Sequence, residues 1–401
     1  MGPGRRDRVV TSEEAWGASG LAWLTGAPDG QGDFSRAAVL ERATQALGRF
    51  TAATGVEADA GELLAGRAAL LGWTRAGRIS AGGASRLLAA ADGWWALTLS
   101  RADDLEAVPA LIESECREPW AAIAGWAAER PVTAVVERAR LLDLPAAALG
   151  ETAPAAPVVR RVGPTGPGCG LRGALVVDLT SLWAGPLCGR LLARAGATVI
   201  KVESPSRPDG TRAGSTAFFD WMNGGKLSCA LRFDRDAAVL AQLLAAADVV
   251  LEGSRPAALA RRGLGPFDVA GRPGRVWVQI TAHGAVSGYA GLGDDAAVAG
   301  GLVGCDGNAG PVFCADAIAD PLTGIEAAAA VADSLARGGG EVITFSLAAV
   351  AAGYAALPKC VPVGEVPVLP PQSPWIEAAG PALGADNGRI GELLARAGAR
   401  C

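Results

Sequence analysis

The sequence predicts an α/β protein: a Rossmann-like parallel sheet flanked by helices, with a smaller, mostly helical α+β domain in front of it. Three observations lead there. First, residues 174–203 read as strand, helix, strand: an apolar run through Leu179, a helix with Leu187, Leu191 and Leu192 on one face, a stop at Gly196, then Thr198-Val199-Ile200-Lys201-Val202-Glu203. Second, apolar runs of strand length keep alternating with helical segments to about residue 355, the pattern of βαβ units with right-handed crossovers. Third, residues 12–160 hold mostly helical periodicity, and residues 151–170, rich in Pro and Gly, read as a linker. The expected division is residues 1–165 for the smaller domain with its linker and residues 166–401 for the large α/β domain with a C-terminal tail.

Taken in order, residues 1–10 are expected to fray. Ser12-Glu13-Glu14 opens a helix carrying Trp16, and residues 25–33 form a Gly/Asp/Pro turn segment. Residues 35–54 are amphipathic, with Ala37, Leu40, Ala43, Leu47 and Phe50 on one face, and residues 60–71 form another helix. Residues 84–91 read as a short helix, Asp92-Gly93 as a turn and residues 94–99 as a strand. A charged loop at 101–106 leads into helices at 107–128 and 132–142. Past the central unit, residues 204–217 are a long loop, 218–222 a short aromatic segment and Asn223-Gly224-Gly225 a turn. Strands are expected at 226–233, 248–252, 276–281 and 342–347. Helices are expected at 235–247, 256–262, 296–304 and 321–337, with an Ala-rich helix last and a Gly-rich loop at 283–295.

Composition narrows the function. The chain is half hydrophobic and 19% charged with 55 Gly, which suits a globular protein of 401 residues with a large core. The net charge of −5 has no basic run, so no nucleic-acid partner is expected. The N-terminus lacks an apolar signal core, and the Ala-rich runs near 324–333 and 342–357 are broken by Asp, Gly or Ser; a cytoplasmic protein without membrane spans is expected. The eight cysteines are scattered at 116, 169, 188, 229, 305, 314, 360 and 401, and read as reduced core residues. His283 is the single histidine, so no metal site is expected.

Six motifs follow one another: D-L-x-x-x-x-A-G-P from Asp178, G-A-x-V-I-K-V-E from Gly196, N-x-G-K-x-S from Asn223, A-D-V-V-L-E-x-x-R-P-x-x-L-x-R-x-G-L-G at 247–265, I-T-A-H-G at 280–284, and I-A-D-P-L-T-G at 318–324. In this order they resemble the family III CoA-transferases, the CaiB/BaiF group, over roughly residues 170–355. The resemblance implies a CoA-binding sheet, exchange of CoA between an acyl-CoA and a carboxylic acid, no permanently bound cofactor, and an interlocked homodimer. It also implies that residues ahead of the sheet, including W-W-A-L-T-L-S-R-A-D-D-L, are the family's small domain moved to the N-terminus; an unrelated helical domain fused in front is the alternative.

Site residues follow from the same resemblance. Asp320 matches the nucleophilic Asp that opens a long helix after a turn, here Asp306-Gly307-Asn308-Ala309-Gly310-Pro311. By itself, Asp before Pro reads as a helix N-cap, which is compatible with that role. Trp183 and Ala184 would border the pantetheine. Met222, Asn223, Gly224 and Gly225 would lie near adenine and ribose. Gly253, Ser254 and Arg255 occupy the next strand end, and Arg261 falls at a phosphate-binding arginine. Ser204 stands where the family often has a basic residue, which Arg207 or Arg212 would replace. Asp306 reads as a turn residue and Asp316 as a weaker candidate nucleophile. Asp294-Asp295 are either general bases or a helix cap; the related racemases have a His where Asp294 stands, which counts against racemase chemistry. An acyl-CoA racemase or isomerase and an inactive CoA-binding protein are the alternatives. His283 is expected to border the site without acting in it.

Overall fold

The computed structural model describes residues 10–284, 287–307 and 310–398. The expectation for residues 1–10 therefore falls, apart from Val10, outside the described residues, as do Asn308 and Ala309. The chain opens with α1 (Ser12–Ala18) and α2 (Leu21–Leu24). The cap of α1 is Thr11, one residue before Ser12: its hydroxyl accepts from the Glu14 N–H while Glu14 accepts from the Thr11 N–H. In α3 (Ala38–Thr54) the predicted face is buried, and the helix ends at Gly55 with φ 73°. Asp59 caps α4 (Ala60–Leu71).

The next segment departs from the sequence reading. Residues 84–91 are not a helix but contain β1 (Ser85–Ala89), paired antiparallel with β2 (Trp94–Thr98) across Asp92-Gly93. Ser85 and Leu87 are buried, and an Asp-Gly pair between two apolar runs is a hairpin signal that outranks local helix propensity. The charged stretch at 101–106 is mostly helical, as α5 (Ala102–Glu106), because the Asp104 carboxylate takes the N–H groups of Ser100 and Arg101. Then come α6 (Val108–Ile112), α7 (Pro119–Ala128), α8 (Val132–Leu141) and β3 (Ala146–Ala148), which pairs with β2. A separate core around Trp95, Leu97, Leu111, Ile123 and Val135 holds this unit together.

The expected linker contains β4 (Val158–Arg161), all of whose residues are exposed, so periodicity could not reveal it. After it come β5 (Leu175–Leu179), α9 (Ala184–Arg194), β6 (Thr198–Glu203), α10 (Thr216–Asn223), β7 (Leu227–Ala230), α11 (Ala237–Ala246), β8 (Val249–Glu252), β9 (Val276–Thr281), α12 (Gly293–Ala299), β10 (Val303–Cys305), β11 (Pro311–Phe313), α13 (Ala319–Ala336), β12 (Glu341–Ser346), α14 (Leu347–Ala355) and α15 (Ile390–Gly398). The aromatic segment at 218–222 is thus part of a helix, capped by Ser215. Residues 256–262 form turns ending in a single 3-10 turn, and α12 starts three residues earlier than expected. The β10–β11 hairpin, three residues a side, was not foreseen.

The large sheet has the order β4-β12-β9-β8-β5-β6-β7, parallel throughout except for antiparallel β4. This is the predicted α/β class. Successive strand residues alternate between its faces. Val176, Val199, Val249, Leu251, Val276 and Val278 face α9, α13 and the N-terminal helices α1, α3 and α4, in one continuous core with Trp16, Leu47 and Leu64. Val177, Ile200, Val202, Val250 and Trp277 face the other way, toward α11 and α15. Of the described cysteines, Cys188, Cys229 and Cys314 are buried, whereas Cys169 and Cys305 are exposed, so the core reading holds for only some of them. Among the described residues, no helix is long and apolar enough to cross a membrane.

Candidate active site

The start of α13 is fixed by an unusual turn. After β11, Ala315 and Ala317 both adopt the left-handed region, with φ 54° and 41°. Alanine is strained there and persists only where the surroundings force it. The Ala315 N–H donates to the Thr25 hydroxyl at 3.0 Å, and the Ala317 N–H donates to the Asp294 carboxylate at 3.0 Å. Ile318, not Asp320, is the N-cap of α13; Asp320 is the second residue of the helix and Pro321 the third. Asp320 is partly accessible. Its carboxylate lies against the first residue of α12, Gly293, whose N–H it accepts. A methyl group on Gly293 would fall 2.4 Å from Asp320 Oδ2, so only glycine allows this approach. The carboxylate thus meets the positive ends of two helices.

Two more acids, Asp294 and Asp316, and one guanidinium, Arg67 from α4, act on the same place. Arg67 Nε and Nη2 donate to Asp316 at 2.7 and 2.5 Å, and its guanidinium lies 4.4 Å from the Trp183 ring. Burial pushes Asp320 up to about 7; Arg67 opposes the shift and Asp294 and Asp316 add to it. Asp294 is also raised, chiefly by burial and then by Asp316. It accepts from the Ser85 hydroxyl at 2.9 Å as well as from Ala317, so both its oxygens are engaged. Asp295 caps α12 through the Leu292 N–H, and burial raises it to about 8. Its second oxygen is 3.9 Å from His283 Nε2, and burial pushes His283 down to about 4.

Beneath the strand ends, several motif residues form a buried ion network. Lys226 donates to Asp178, to the Pro186 carbonyl and to Asn223 Oδ1 at 2.9, 2.9 and 3.1 Å. Burial alone would raise Asp178, but Lys226 and Lys201 more than offset it and hold its carboxyl below the usual range. Lys201 donates to Asp209 at 2.7 Å, and Glu203 takes the Arg212 fork at 2.6 and 2.9 Å. Both Lys226–Asp178 and Lys201–Asp209 are fully buried.

Residues 171–365 match the family model described as CoA-transferase family III. The chain is 31% identical over 186 residues to the succinate–glutarate CoA-transferase of Agrobacterium fabrum, covering 41% of this chain and 46% of that one. It is 36% identical over 125 residues to a probable fatty acyl-CoA transferase of Mycobacterium tuberculosis, covering 28% of this chain and 32% of that one. A solved CaiB/BaiF family protein from Brucella suis aligns over 48% of this chain and 56% of that one, with 28% identity and a TM-score of 0.43. The chain thus spans 32% and 46% of the length of these two curated relatives.

Against the family pattern, the predicted residues fall into two groups. Gly225, Gly253, Arg255 and Arg261 are exposed near the strand ends, with Gly224 and Ser254 half-buried. Trp183, Ala184, Met222 and Asn223 are buried. Trp183 cannot line a ligand with its ring, because Arg67 and Phe218 cover it. The Asn223 side chain is spent on Lys226 and the Phe219 carbonyl, so its position supports the turn. Arg255 pairs with Asp143 of the smaller unit. Arg212 is bound to Glu203, which leaves exposed Arg207 as the free candidate of that pair. Asp306 is a turn residue, accepting from Gly310, and Asp316 is locked by Arg67. Sequence reasoning missed Arg67 altogether. Its one signal was an arginine between Gly66 and Ala68 on an otherwise apolar stretch of helix.

Proposed function

We propose that this chain is a CoA-transferase that moves CoA from an acyl-CoA donor to a carboxylic acid through Asp320. The observation that carries the reading is the Asp320 carboxylate at the start of α13, partly accessible and faced by the Gly293 N–H, inside the segment that matches the family. An Asp320 oxygen attacks the thioester carbonyl, and the C–S bond breaks to give an acyl–aspartyl anhydride and CoA thiolate. The thiolate attacks the aspartyl carbonyl, releasing the first acid and leaving an aspartyl-CoA thioester. The second acid attacks that thioester, expelling the thiolate, which then attacks the new acyl group and frees Asp320. The helix ends at Gly293 and Ala319 put positive dipole ends where oxyanions would develop.

Asp294 stands where the related racemases have a His and is held by the Ser85 hydroxyl and the Ala317 N–H, which supports transfer over α-proton exchange. The family resemblance supports a homodimer, and the contacts of Ser85 and Thr98 with Asp294 and Asp295 support reading the N-terminal unit as a relocated small domain. The test is intact mass after incubation with acetyl-CoA or succinyl-CoA and then hydroxylamine. A hydroxamate at Asp320, absent from Asp320→Ala, is expected. Solvent deuterium entering the α-carbon without an adduct would replace transfer by isomerase chemistry, and CoA binding alone would leave a binding protein.

A further inference from the structure

Arg67 lies more than a hundred residues ahead of the family-matched segment, yet it is built into the candidate site. Its guanidinium is held on several sides: two hydrogen bonds to Asp316, and rings of Trp183, Trp73 and Phe218 at 4.4, 5.4 and 5.5 Å. Only arginine supplies a planar fork that grips a carboxylate twice and stacks on aromatic faces; lysine supplies charge without the fork. The residue it grips, fully buried Asp316, sits between the two left-handed alanines. Three contacts hold that strained turn: Thr25 on Ala315, Asp294 on Ala317 and Arg67 on Asp316.

The turn sets the carboxylate beyond it. The Asp320 N–H donates to the Ala317 carbonyl at 2.9 Å, and that carbonyl and Asp320 Oδ2 both press on Gly293. The charged groups acting on Asp320 are Arg67, a cation, and Asp294 and Asp316, both acids. Burial works against the charge on Arg67, but Asp316, Asp294 and Asp320 outweigh it, so the guanidinium stays charged.

We propose that Arg67 is a positioning residue of the transfer site: its fork holds the 315–317 turn through Asp316, and its charge faces the carboxylates gathered there. The inference rests on the reading of Asp320 as nucleophile and gives the N-terminal helices a part in the chemistry. The test uses the full chain carrying Arg67→Met or Arg67→Lys, with two readouts. The first is carboxyl carbon NMR titration of Asp320, assigned by its loss in Asp320→Asn, which needs no turnover. The second is kcat and KM for transfer as a function of pH.

In Arg67→Met the Asp320 midpoint is expected to move up by about one unit, and in Arg67→Lys to stay near wild type, since the charge remains. Both are expected to lose kcat by about 100-fold with KM changed less than about threefold, because both lose the fork. An unmoved midpoint in Arg67→Met, or a kcat within about threefold of wild type in folded Arg67→Lys, overturns the proposal. Should Arg67→Met fail to fold, the lysine variant decides alone. A moved midpoint in a protein whose wild type transfers nothing upholds the Arg67 charge facing Asp320 but overturns both the transferase reading and the role of Arg67 in transfer.

Discussion

Gly293→Ala puts the smallest side chain where the structure has least room. Its methyl carbon would lie 2.4 Å from Asp320 Oδ2, 2.5 Å from the Ala317 carbonyl oxygen and 2.8 Å from Ala317 Cβ, whereas ordinary contact begins at 3.4 Å. Roughly 1 Å must be found. Gly293 does not adopt a left-handed φ, so alanine brings no backbone strain and the effect is purely steric. The Ala317 carbonyl belongs to the strained turn and accepts from Asp320 N–H, so it yields poorly. The Asp320 side chain must therefore swing away and lose the Gly293 N–H. A displacement of about 1 Å at a reacting group costs about 100-fold in rate, and overpacking costs about 1–3 kcal/mol in stability. Steady-state transfer and thermal unfolding measure the two effects together. We expect kcat down by about 100-fold, KM for acyl-CoA within about threefold, and a lowered Tm. A Gly293→Ala protein with wild-type kcat and wild-type Tm would refute the placement of Asp320 against α12.

Three further outcomes are expected. Lys226→Met strands buried Asp178 and should lose about 3–5 kcal/mol in urea unfolding, whereas Arg255→Ala, which breaks an exposed pair with Asp143, should lose less than about 1 kcal/mol; equal losses would contradict the buried network. Asp320 is raised from 3.8 to about 7, so it holds its proton more tightly folded than unfolded, and its stabilising contribution, full below pH 4, is lost as pH rises toward 7. Asp320→Asn should therefore be more stable than wild type at pH 8, by up to about 4 kcal/mol, and no more stable at pH 4; the same ionisation predicts kcat/KM rising with pH to a plateau above about 7. Ala317→Gly relieves a left-handed alanine and should raise stability by about 1 kcal/mol while lowering kcat, since the turn that aims α13 loosens; melting and turnover measured on one preparation would show the trade.

The sequence by itself determined the sheet. Runs such as Val176-Val177 and Val249-Val250 bury both faces of a parallel strand, and such continuous apolar patterns between helices allow few other arrangements. It also determined that Asp320 stands at the start of a long helix, because Pro321 and the Ala-rich run behind it are read locally. Tertiary structure decided the rest. Residues 84–91 became a strand because β2 was there to pair with. Four exposed residues in the linker became β4 because β12 offered an open edge. The motif residue Asn223 looked like a ligand contact, yet its amide oxygen accepts from Lys226, which neutralises Asp178 beneath the strand ends, since a buried charge must find a partner. Arg67 and Asp316 are separated by 249 residues in the chain, and no local pattern records which distant carboxylate a helix arginine will meet. Periodicity reports which face of an element is covered; only the packed chain determines what covers it.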